Sequence, residues 1–215
     1  GVNIDDRDIH IFLGNEIAPR GYVWIFPKGD GVVNVGVGII GDDPKTAKFY
    51  LDKFIKDHPE MFEKASPIEI KGGGVPVGKP LKEFVSNGLI LIGDAARMVN
   101  PIHGGGMGTA MEGAMIASKW IEKALNENNV SKEFLMGFVK EWYEVRGNQL
   151  LQVYKVRRFA EQLKDEDYEK LYEIFSEMGA EKVLEFVDGK KLSLFAKVFK
   201  KSPRLALLAA KTFLT

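Results

Sequence analysis

The sequence contains no cysteine and no excess of charge of either sign. The absence of cysteine excludes thiol nucleophiles, disulfides and cysteine-bound zinc or iron–sulfur centres, and it fits a cytoplasmic location. Thirty basic residues balance thirty acidic ones, whereas a nucleic-acid-binding protein usually carries a basic excess. No apolar run is long enough to span a bilayer, and the first ten residues lack the apolar core of a signal peptide.

What the sequence does contain is the composition of a globular protein. It has 215 residues, of which 45% are hydrophobic and 28% charged, enough for one large domain or two small ones. The charge is unevenly distributed, because residues 189–215 contain seven basic residues and no acidic one, which leaves 23 basic and 30 acidic residues in the remainder. Such a tail either contacts the anionic inner face of a membrane or forms the solvated side of a helical subdomain.

The first third of the chain has the alternation of β-strands, and its glycine- and aspartate-rich connection at 28–31 is typical of a hairpin. The helix that follows is expected to begin at Asp43-Pro44 and to end near Asp57. The predicted strands are Asp8–Gly14, Tyr22–Pro27 and Val32–Ile40.

A second pattern begins with the apolar run Gly88–Gly93, which predicts a strand buried on both faces, as in a parallel sheet. A glycine-rich loop, Asp94–Gly108, separates this strand from a helix predicted over Thr109–Asn126. From Ser131 onward the sequence predicts helices, with breaks near Gly179, Gly189 and Pro203.

A G-x-G-x-x-G pattern at Gly36, Gly38 and Gly41 resembles a dinucleotide-binding fingerprint, but its surroundings argue against one. The first two glycines lie inside a strand alternation, and the next helix starts too late to place Gly41 in its first turn. The better interpretation is a strand that lacks side chains on one face, so that another group can approach its backbone closely.

The segment Gly88–Ala114 is the strongest functional signal in the sequence. Its predicted strand would place Asp94 at a carboxyl edge, where open α/β sheets bind ligands. The glycines at 104, 105, 106 and 108 allow close approach of a ligand to the backbone. The following helix would direct its free N–H groups and positive dipole end at an anionic or electron-rich ring.

This segment resembles the second flavin-binding motif of FAD-dependent enzymes built like p-hydroxybenzoate hydroxylase, which reads GDAA, then a proline, then a glycine-rich turn entering a helix. The resemblance implies that Asp94 bonds the ribityl chain of FAD and that the loop borders the isoalloxazine. His103 in the loop and Glu112 on the helix are further polar residues near this site; Glu112 faces either the cofactor or a helix partner. The implied cofactor-binding residues are Asp94, Ala95, Pro101, Gly104, Gly105, Gly106, Met107, Gly108 and Thr109.

Three aromatic residues share one face of the second predicted strand: Tyr22, Trp24 and Phe26. Spacing alone favours a place for them in the protein core; alternatively they form a stiff apolar wall. With Pro27, Gly36 and Gly38 they resemble the YxWxFPx8GxG signature of geranylgeranyl reductases, flavoenzymes that saturate the double bonds of isoprenoid chains, and the segment Gly72–Pro80 is also similar to that family.

This second resemblance implies a reductase of the archaeal digeranylgeranylglycerophospholipid kind, with FAD as cofactor, NADPH or ferredoxin as electron donor and an isoprenoid lipid as substrate. The implied substrate-binding residues are Tyr22, Trp24, Phe26, Pro27, Gly36 and Gly38, with Tyr22 a weak candidate for proton donor. A flavin-dependent monooxygenase or halogenase, and a non-catalytic lipid-binding or partner subunit, are the alternatives. The three histidines lack metal-ligand spacing, so no metal is expected.

Members of the family begin with a Rossmann half, and no segment here supplies its fingerprint. We therefore expect the C-terminal portion of such an enzyme, with the other half truncated or on a partner chain, and weak FAD binding by these residues alone. The expected fold class is α+β, a fragment of the p-hydroxybenzoate hydroxylase type. Its expected domains are a β-rich substrate domain at 1–85, a returning segment of the FAD domain at 86–126 and a helical subdomain at 127–215.

Overall fold

The computed structural model describes residues 1–41, 43–179 and 202–213. The described chain forms two compact units. The first consists of Gly1–Gly72 with Ala160–Ile174, and the second of Gly73–Phe159 with the described residues from Phe175 onward. The predicted domain limits at 85 and 126 stay predictions, because compactness alone does not mark where a functional domain begins.

The first unit is built on a three-stranded antiparallel sheet with the order β1-β2-β3. The hairpin between the second and third strands turns at Asp30 and Gly31, both with positive φ, as the turn-rich sequence predicts. The strands are β1 His10–Phe12, β2 Tyr22–Gly29 and β3 Val32–Gly38.

One face of this sheet forms the core of the first unit. Val23 and Ile25 of β2 are fully buried and belong to the same cluster as Phe54 and Phe62. These two rings come from helices that cover the sheet, α1 (Ala47–Asp57) and α2 (Pro59–Phe62). Because side chains alternate along a strand, the residues that alternate with Val23 and Ile25 lie on the opposite face.

Helix α1 begins three residues later than Asp43-Pro44 predicts. Thr46 is its N-cap, and its hydroxyl accepts a hydrogen bond from the backbone N–H of Phe49 at 3.3 Å. Asp43 instead accepts hydrogen bonds from the Lys45 backbone N–H and the Tyr50 hydroxyl, at 2.8 and 3.0 Å. The carboxylate thus forms a local turn before the helix, a use of aspartate that competes with capping.

The second unit is mainly helical, as predicted from Ser131 onward. Its core contains Phe84, Phe138 and Trp142, with the Phe84 ring 5.5 Å from each of the other two rings in edge-to-face geometry. A π-helical turn, Tyr143–Gly147, joins two of the helices. The helices of this part of the chain are α3 Met107–Asn126, α4 Lys132–Trp142, α5 Asn148–Ala160, α6 Asp165–Met178, which continues from the first unit, and α7 Pro203–Phe213.

The predicted breaks are confirmed at two points. Helix α6 ends just before Gly179, which has positive φ, and α7 starts at Pro203, where proline suits the first helical position. The break near Gly189 and most of the basic tail lie outside the described residues. Within the described ranges, no helix is both long and apolar enough to cross a membrane.

The prediction of a strand at Gly88–Gly93, buried on both faces of a parallel sheet, is wrong for the described chain. Of this run only Leu89–Ile90 forms a strand (β5), and it pairs antiparallel with Val85–Ser86 (β4). Leu89 is 49% exposed. The reason is local: Gly88 with φ +66° turns the chain back on itself, and Gly93 with φ +62° then starts a 3₁₀ turn.

Candidate functional site

The loop that follows β5 is organised by backbone hydrogen bonds. Gly93–Ala96 form a 3₁₀ turn, closed by bonds from the Arg97 N–H to the Asp94 carbonyl and from the Met98 N–H to the Gly93 carbonyl, each 2.9 Å long. Arg97 adopts a left-handed conformation with φ +52°. This geometry leaves the Asp94 side chain exposed, and its carboxylate makes no hydrogen bond with the described residues.

An inner layer supports this loop. Met98 and Val99 are almost fully buried, and Pro101 is buried with them. The Thr109 hydroxyl donates a hydrogen bond to the Gly106 carbonyl at 2.9 Å and contacts the Met98 carbonyl. The loop is therefore fixed from inside by apolar packing and one hydroxyl, while its outer surface stays open.

Asn100 also organises the loop, and the sequence analysis missed it. Its side-chain oxygen accepts hydrogen bonds from the backbone N–H groups of Ile102 and His103, at 2.9 and 3.4 Å. Its own backbone bonds to Gly104 and Gly105. The Asn-Pro dipeptide at 100–101 was the available signal, because asparagine before proline favours turn initiation.

Helix α3 begins two residues before the predicted Thr109, and its N-terminus has no side-chain cap. Its N-cap is Gly106, whereas α1 and α4 are capped by the hydroxyls of Thr46 and Ser131. The first N–H groups of α3 thus have no capping acceptor. A β-carbon at Gly106 would lie 3.0 Å from Asp94 Oδ1, so the glycine allows the carboxylate to lie beside the helix start.

The structure brings the predicted cofactor-binding residues together in one continuous loop and helix start. Most of them are accessible, with Pro101 in the buried layer as the exception. Gly104 has the positive φ, +72°, that its glycine-rich context predicts. The exposed members are Asp94, Ala95, Gly105, Met107 and Gly108, and the half-buried ones are Gly104, Gly106 and Thr109.

Two polar residues near this loop have defined partners. His103 Nδ1 accepts a hydrogen bond from the Gly105 backbone N–H at 3.1 Å. Glu112 binds Arg146, with 2.7 Å between its Oε2 and the guanidinium Nε and a second contact through Oε1. Of the two interpretations of Glu112, the helix partner is confirmed: the ion pair joins α3 to the π-helical turn.

This ion pair makes stability depend on pH. The hydrogen bond from Arg146 lowers the pKa of Glu112 in the folded protein below its ordinary value of 4.5. The stabilisation is thus complete above pH 4.5 and is lost as the pH falls through the lower folded pKa. Both side chains are about one third exposed, so we expect Glu112→Gln to lower the free energy of unfolding by about 1 kcal/mol or less at pH 7.

Chemical denaturation at pH 7 and pH 3 measures this effect. We expect the difference between wild type and Glu112→Gln to shrink at the lower pH. Glu122→Gln, on the same helix but without an ion pair in the described chain, is the matched control and should show no such convergence. A difference that is equal at both pH values would contradict a role for the ionised pair.

In the first unit, the aromatic residues of β2 lie on the sheet face opposite the core. Tyr22, Trp24 and Phe26 are half-buried, whereas the intervening Val23 and Ile25 are fully buried. The ring centroids of Tyr22 and Trp24 are 5.6 Å apart, and those of Trp24 and Phe26 are 6.1 Å apart. The alternative that these rings form the core of the unit is therefore wrong.

The neighbouring strands complete this face. Trp24 lies opposite Ile11 of β1 and Gly36 of β3, and Ile11 is 48% exposed. A β-carbon at Gly36 would overlap the Trp24 ring, so the space above this glycine is filled by the indole. The Trp24 Nε1–H donates a hydrogen bond of 2.7 Å to the side-chain oxygen of Asn34. Both glycines of the rejected fingerprint, Gly36 and Gly38, thus belong to an antiparallel strand.

Burial raises the pKa of Tyr22. The phenol is therefore protonated at neutral pH, and the upward direction makes it a weaker acid than an exposed tyrosine. Pro27 is half-buried at the irregular end of β2, where the register with β3 shifts. Among the described residues, no group of three or more potential metal ligands lies close enough together to hold an ion.

Comparison with known proteins covers both units. The sequence model of the geranylgeranyl reductase catalytic domain matches residues 1–75, which include the aromatic face. The digeranylgeranylglycerophospholipid reductase of Methanoculleus marisnigri is 39% identical over 210 residues, which is 96% of this chain and 50% of that protein. Nearly the whole chain is thus similar to proteins of the geranylgeranyl reductase family. The corresponding reductase of Methanocaldococcus jannaschii is 37% identical over 205 residues, 94% of this chain and 50% of that protein.

Two further comparisons define the family relationship. The crystal structure of a geranylgeranyl bacteriochlorophyll reductase-like protein from Thermoplasma acidophilum superimposes with a TM-score of 0.80 at 30% identity, over 99% of this chain and 52% of that one. The model of the squalene epoxidase family matches residues 79–156, which contain the candidate cofactor loop. The chain spans about half the length of the relatives it matches. Mixed helices and small antiparallel sheets, the coarse fold class, are confirmed.

Proposed function

We propose that this protein reduces isoprenoid double bonds of archaeal membrane lipids with FAD as cofactor. The observation that carries the proposal is the aromatic face of β2. It lies in the segment that matches the geranylgeranyl reductase catalytic domain, and it faces away from the core of its own unit. Half-buried rings on this face present apolar surface that suits contact with an isoprenoid chain.

The loop after β5 has the features that an FAD site requires. Asp94 offers an exposed carboxylate that can accept a hydrogen bond from a ribityl hydroxyl. The uncapped N-terminus of α3 offers the N–H groups of Met107, Gly108 and Thr109 to an electron-rich ring edge, and the helix dipole favours negative charge there. Gly106 leaves the room that this arrangement needs. In this proposal the second unit contains the returning segment of a p-hydroxybenzoate hydroxylase-like FAD domain.

In the proposed reaction, the loop after β5 would hold FAD, which when reduced would supply the hydride that one alkene carbon gains, while the other carbon gains a proton. The residues of this chain bind the substrate, orient it and exclude water. Tyr22, Trp24 and Phe26 would hold the isoprenoid chain, with Pro27, Gly36 and Gly38 completing the strand pair that presents them. Tyr22 remains a weak candidate for the proton donor, because its raised pKa opposes proton release.

A reduction assay tests the proposal. The complete enzyme, with this chain joined to the Rossmann half that the resemblance implies, is loaded with FAD, reduced with dithionite under argon and incubated with a digeranylgeranylglycerophospholipid. We expect mass spectrometry to show products that have gained two hydrogen atoms for each double bond reduced. Protein without FAD is the control. Unchanged lipid with fully reduced, bound flavin would contradict the proposed reaction, and comparing NADPH with reduced ferredoxin would identify the physiological donor.

Oxygenation is the second candidate reaction, because residues 79–156 match the squalene epoxidase family. An epoxidase needs molecular oxygen and adds an oxygen atom to the alkene, whereas a reductase needs no oxygen. The same lipid incubated with NADPH in air distinguishes the two by product mass. We favour reduction, because the aromatic face lies in the segment that matches the reductase family and not in the segment shared with epoxidases.

A further inference from the structure

Asn34 lies beside the most central ring of the aromatic face. It occupies β3 opposite Phe26, two pairs along the sheet from Trp24 and Gly36 and therefore on the same face. Its side-chain oxygen accepts the indole N–H of Trp24 at 2.7 Å. This distance is short for a bond between N–H and oxygen and indicates a well-formed contact. Asn34 is not part of the aromatic and glycine pattern that carries the family resemblance.

Two features of β3 together determine where the indole lies. Gly36 leaves the space that the ring fills, since any β-carbon there would overlap it. A glycine allows this position but cannot select it, because an open space imposes no orientation on the ring. The hydrogen bond to Asn34 supplies the direction, fixing the ring edge toward β3.

The bond also matters for apolar contact. An isoprenoid chain that covers the indole removes water from the indole N–H group. A buried N–H without an acceptor costs binding free energy. With Asn34 as acceptor, the N–H is already satisfied before the chain arrives. The face then offers the apolar surface of the ring without exposing an unpaired donor to the chain.

We infer that Asn34 is a positioning residue of the substrate wall, which holds the Trp24 indole in place and satisfies its N–H when an isoprenoid chain covers it. This inference rests on the proposed function. Asn34 acts through Trp24 and does not touch the reacting atoms.

A double-mutant cycle tests the inference on the FAD-loaded protein with a geranylgeranyl lipid. Asn34→Leu keeps the size but removes the acceptor, and Asn34→Asp keeps an acceptor oxygen. We expect Asn34→Leu to lower kcat/KM about tenfold, and Asn34→Asp to stay within about threefold of wild type. In a Trp24→Phe background, which has no N–H, Asn34→Leu should change kcat/KM by less than about twofold. Equal losses in both backgrounds, or a gain from the added apolar leucine, would overturn the inference.

A second measurement separates this inference from the proposed function. In protein labelled with ¹⁵N-tryptophan, the indole N–H signal lost in Trp24→Phe identifies Trp24. We expect Asn34→Leu to shift that signal and accelerate its exchange with solvent, and Asn34→Asp to preserve slow exchange. If the protein reduces no alkene, the proposed function fails while this signal still reports the bond. If the signal responds as expected but Asn34→Leu keeps full activity, the positioning role is wrong.

Discussion

Trp24→Ala should lower kcat/KM for reduction of geranylgeranyl chains by about 2–3 kcal/mol, or about 30- to 150-fold. The reason is that the half-buried indole is the centre of the aromatic face and borders Tyr22 and Phe26 on either side. Its removal takes away apolar surface that would hold the alkene in place. FAD affinity should hardly change, because the candidate cofactor loop is held by its own backbone bonds and packing.

The stability of the same variant shows whether Trp24 belongs to a substrate-contacting aromatic face or to the protein core. We expect Trp24→Ala to cost only about 1 kcal/mol of unfolding free energy, since it removes ring contacts on a face that the core does not use. Ile25→Ala, one residue along the strand but fully buried, is the matched control and should cost about 2–5 kcal/mol. If Trp24→Ala instead destabilises the protein as much as Ile25→Ala and keeps its activity per folded molecule, the proposal that Trp24 contacts the substrate is wrong.

In the complete enzyme, where this chain is joined to the Rossmann half that the family resemblance implies, Asp94→Ala should weaken FAD binding by about 1.5–3 kcal/mol, the usual range for a hydrogen bond to a charged group. The carboxylate has no partner in the described chain, so its loss should leave the loop and the melting temperature unchanged. Isothermal titration of apoprotein with FAD measures the affinity. Asp94→Asn, which keeps an acceptor oxygen, should lose less.

The control for this titration is Glu127→Ala. Glu127 is the C-cap of α3, about 30 Å from its N-terminus by the rise of a 20-residue helix. We expect it to bind FAD as wild type does. Unchanged FAD affinity in Asp94→Ala would remove Asp94 from the cofactor site, while equal losses in both variants would indicate a general effect of charge.

The strand pattern of the first unit could be predicted because it depends on local alternation and turn chemistry. Glycine and aspartate at 30–31 suit positive φ wherever they occur, so the hairpin between β2 and β3 follows from the sequence. The start of α1 could not be predicted to the residue, because Asp43 and Thr46 are both good N-caps. In the structure Thr46 caps the helix, while Asp43 accepts a hydrogen bond from Tyr50, a contact that the local pattern does not predict.

The strand predicted at 88–93 failed for a related reason. A continuous apolar run indicates burial but does not show which strand lies beside it. The turn at Gly88 pairs Leu89–Ile90 with the preceding residues in an antiparallel arrangement, which the run itself does not encode. The Asn100 bonds could not be predicted individually, because they link the Asn-Pro turn to backbone groups within a loop of no regular period.

The sequence by itself determined the three strands of the first sheet, the helix after the glycine-rich loop, the family resemblance and the residues that would form the candidate cofactor loop, because each of these depends on residue type and spacing along the chain. Tertiary structure alone decided that Tyr22, Trp24 and Phe26 lie outside the core of their unit, that Glu112 pairs with Arg146, and that Asn34 and Gly36 fix the Trp24 ring. Alternation assigns three residues to one face of a strand, but only the packing of α1 and α2 on the other face shows which side is the core.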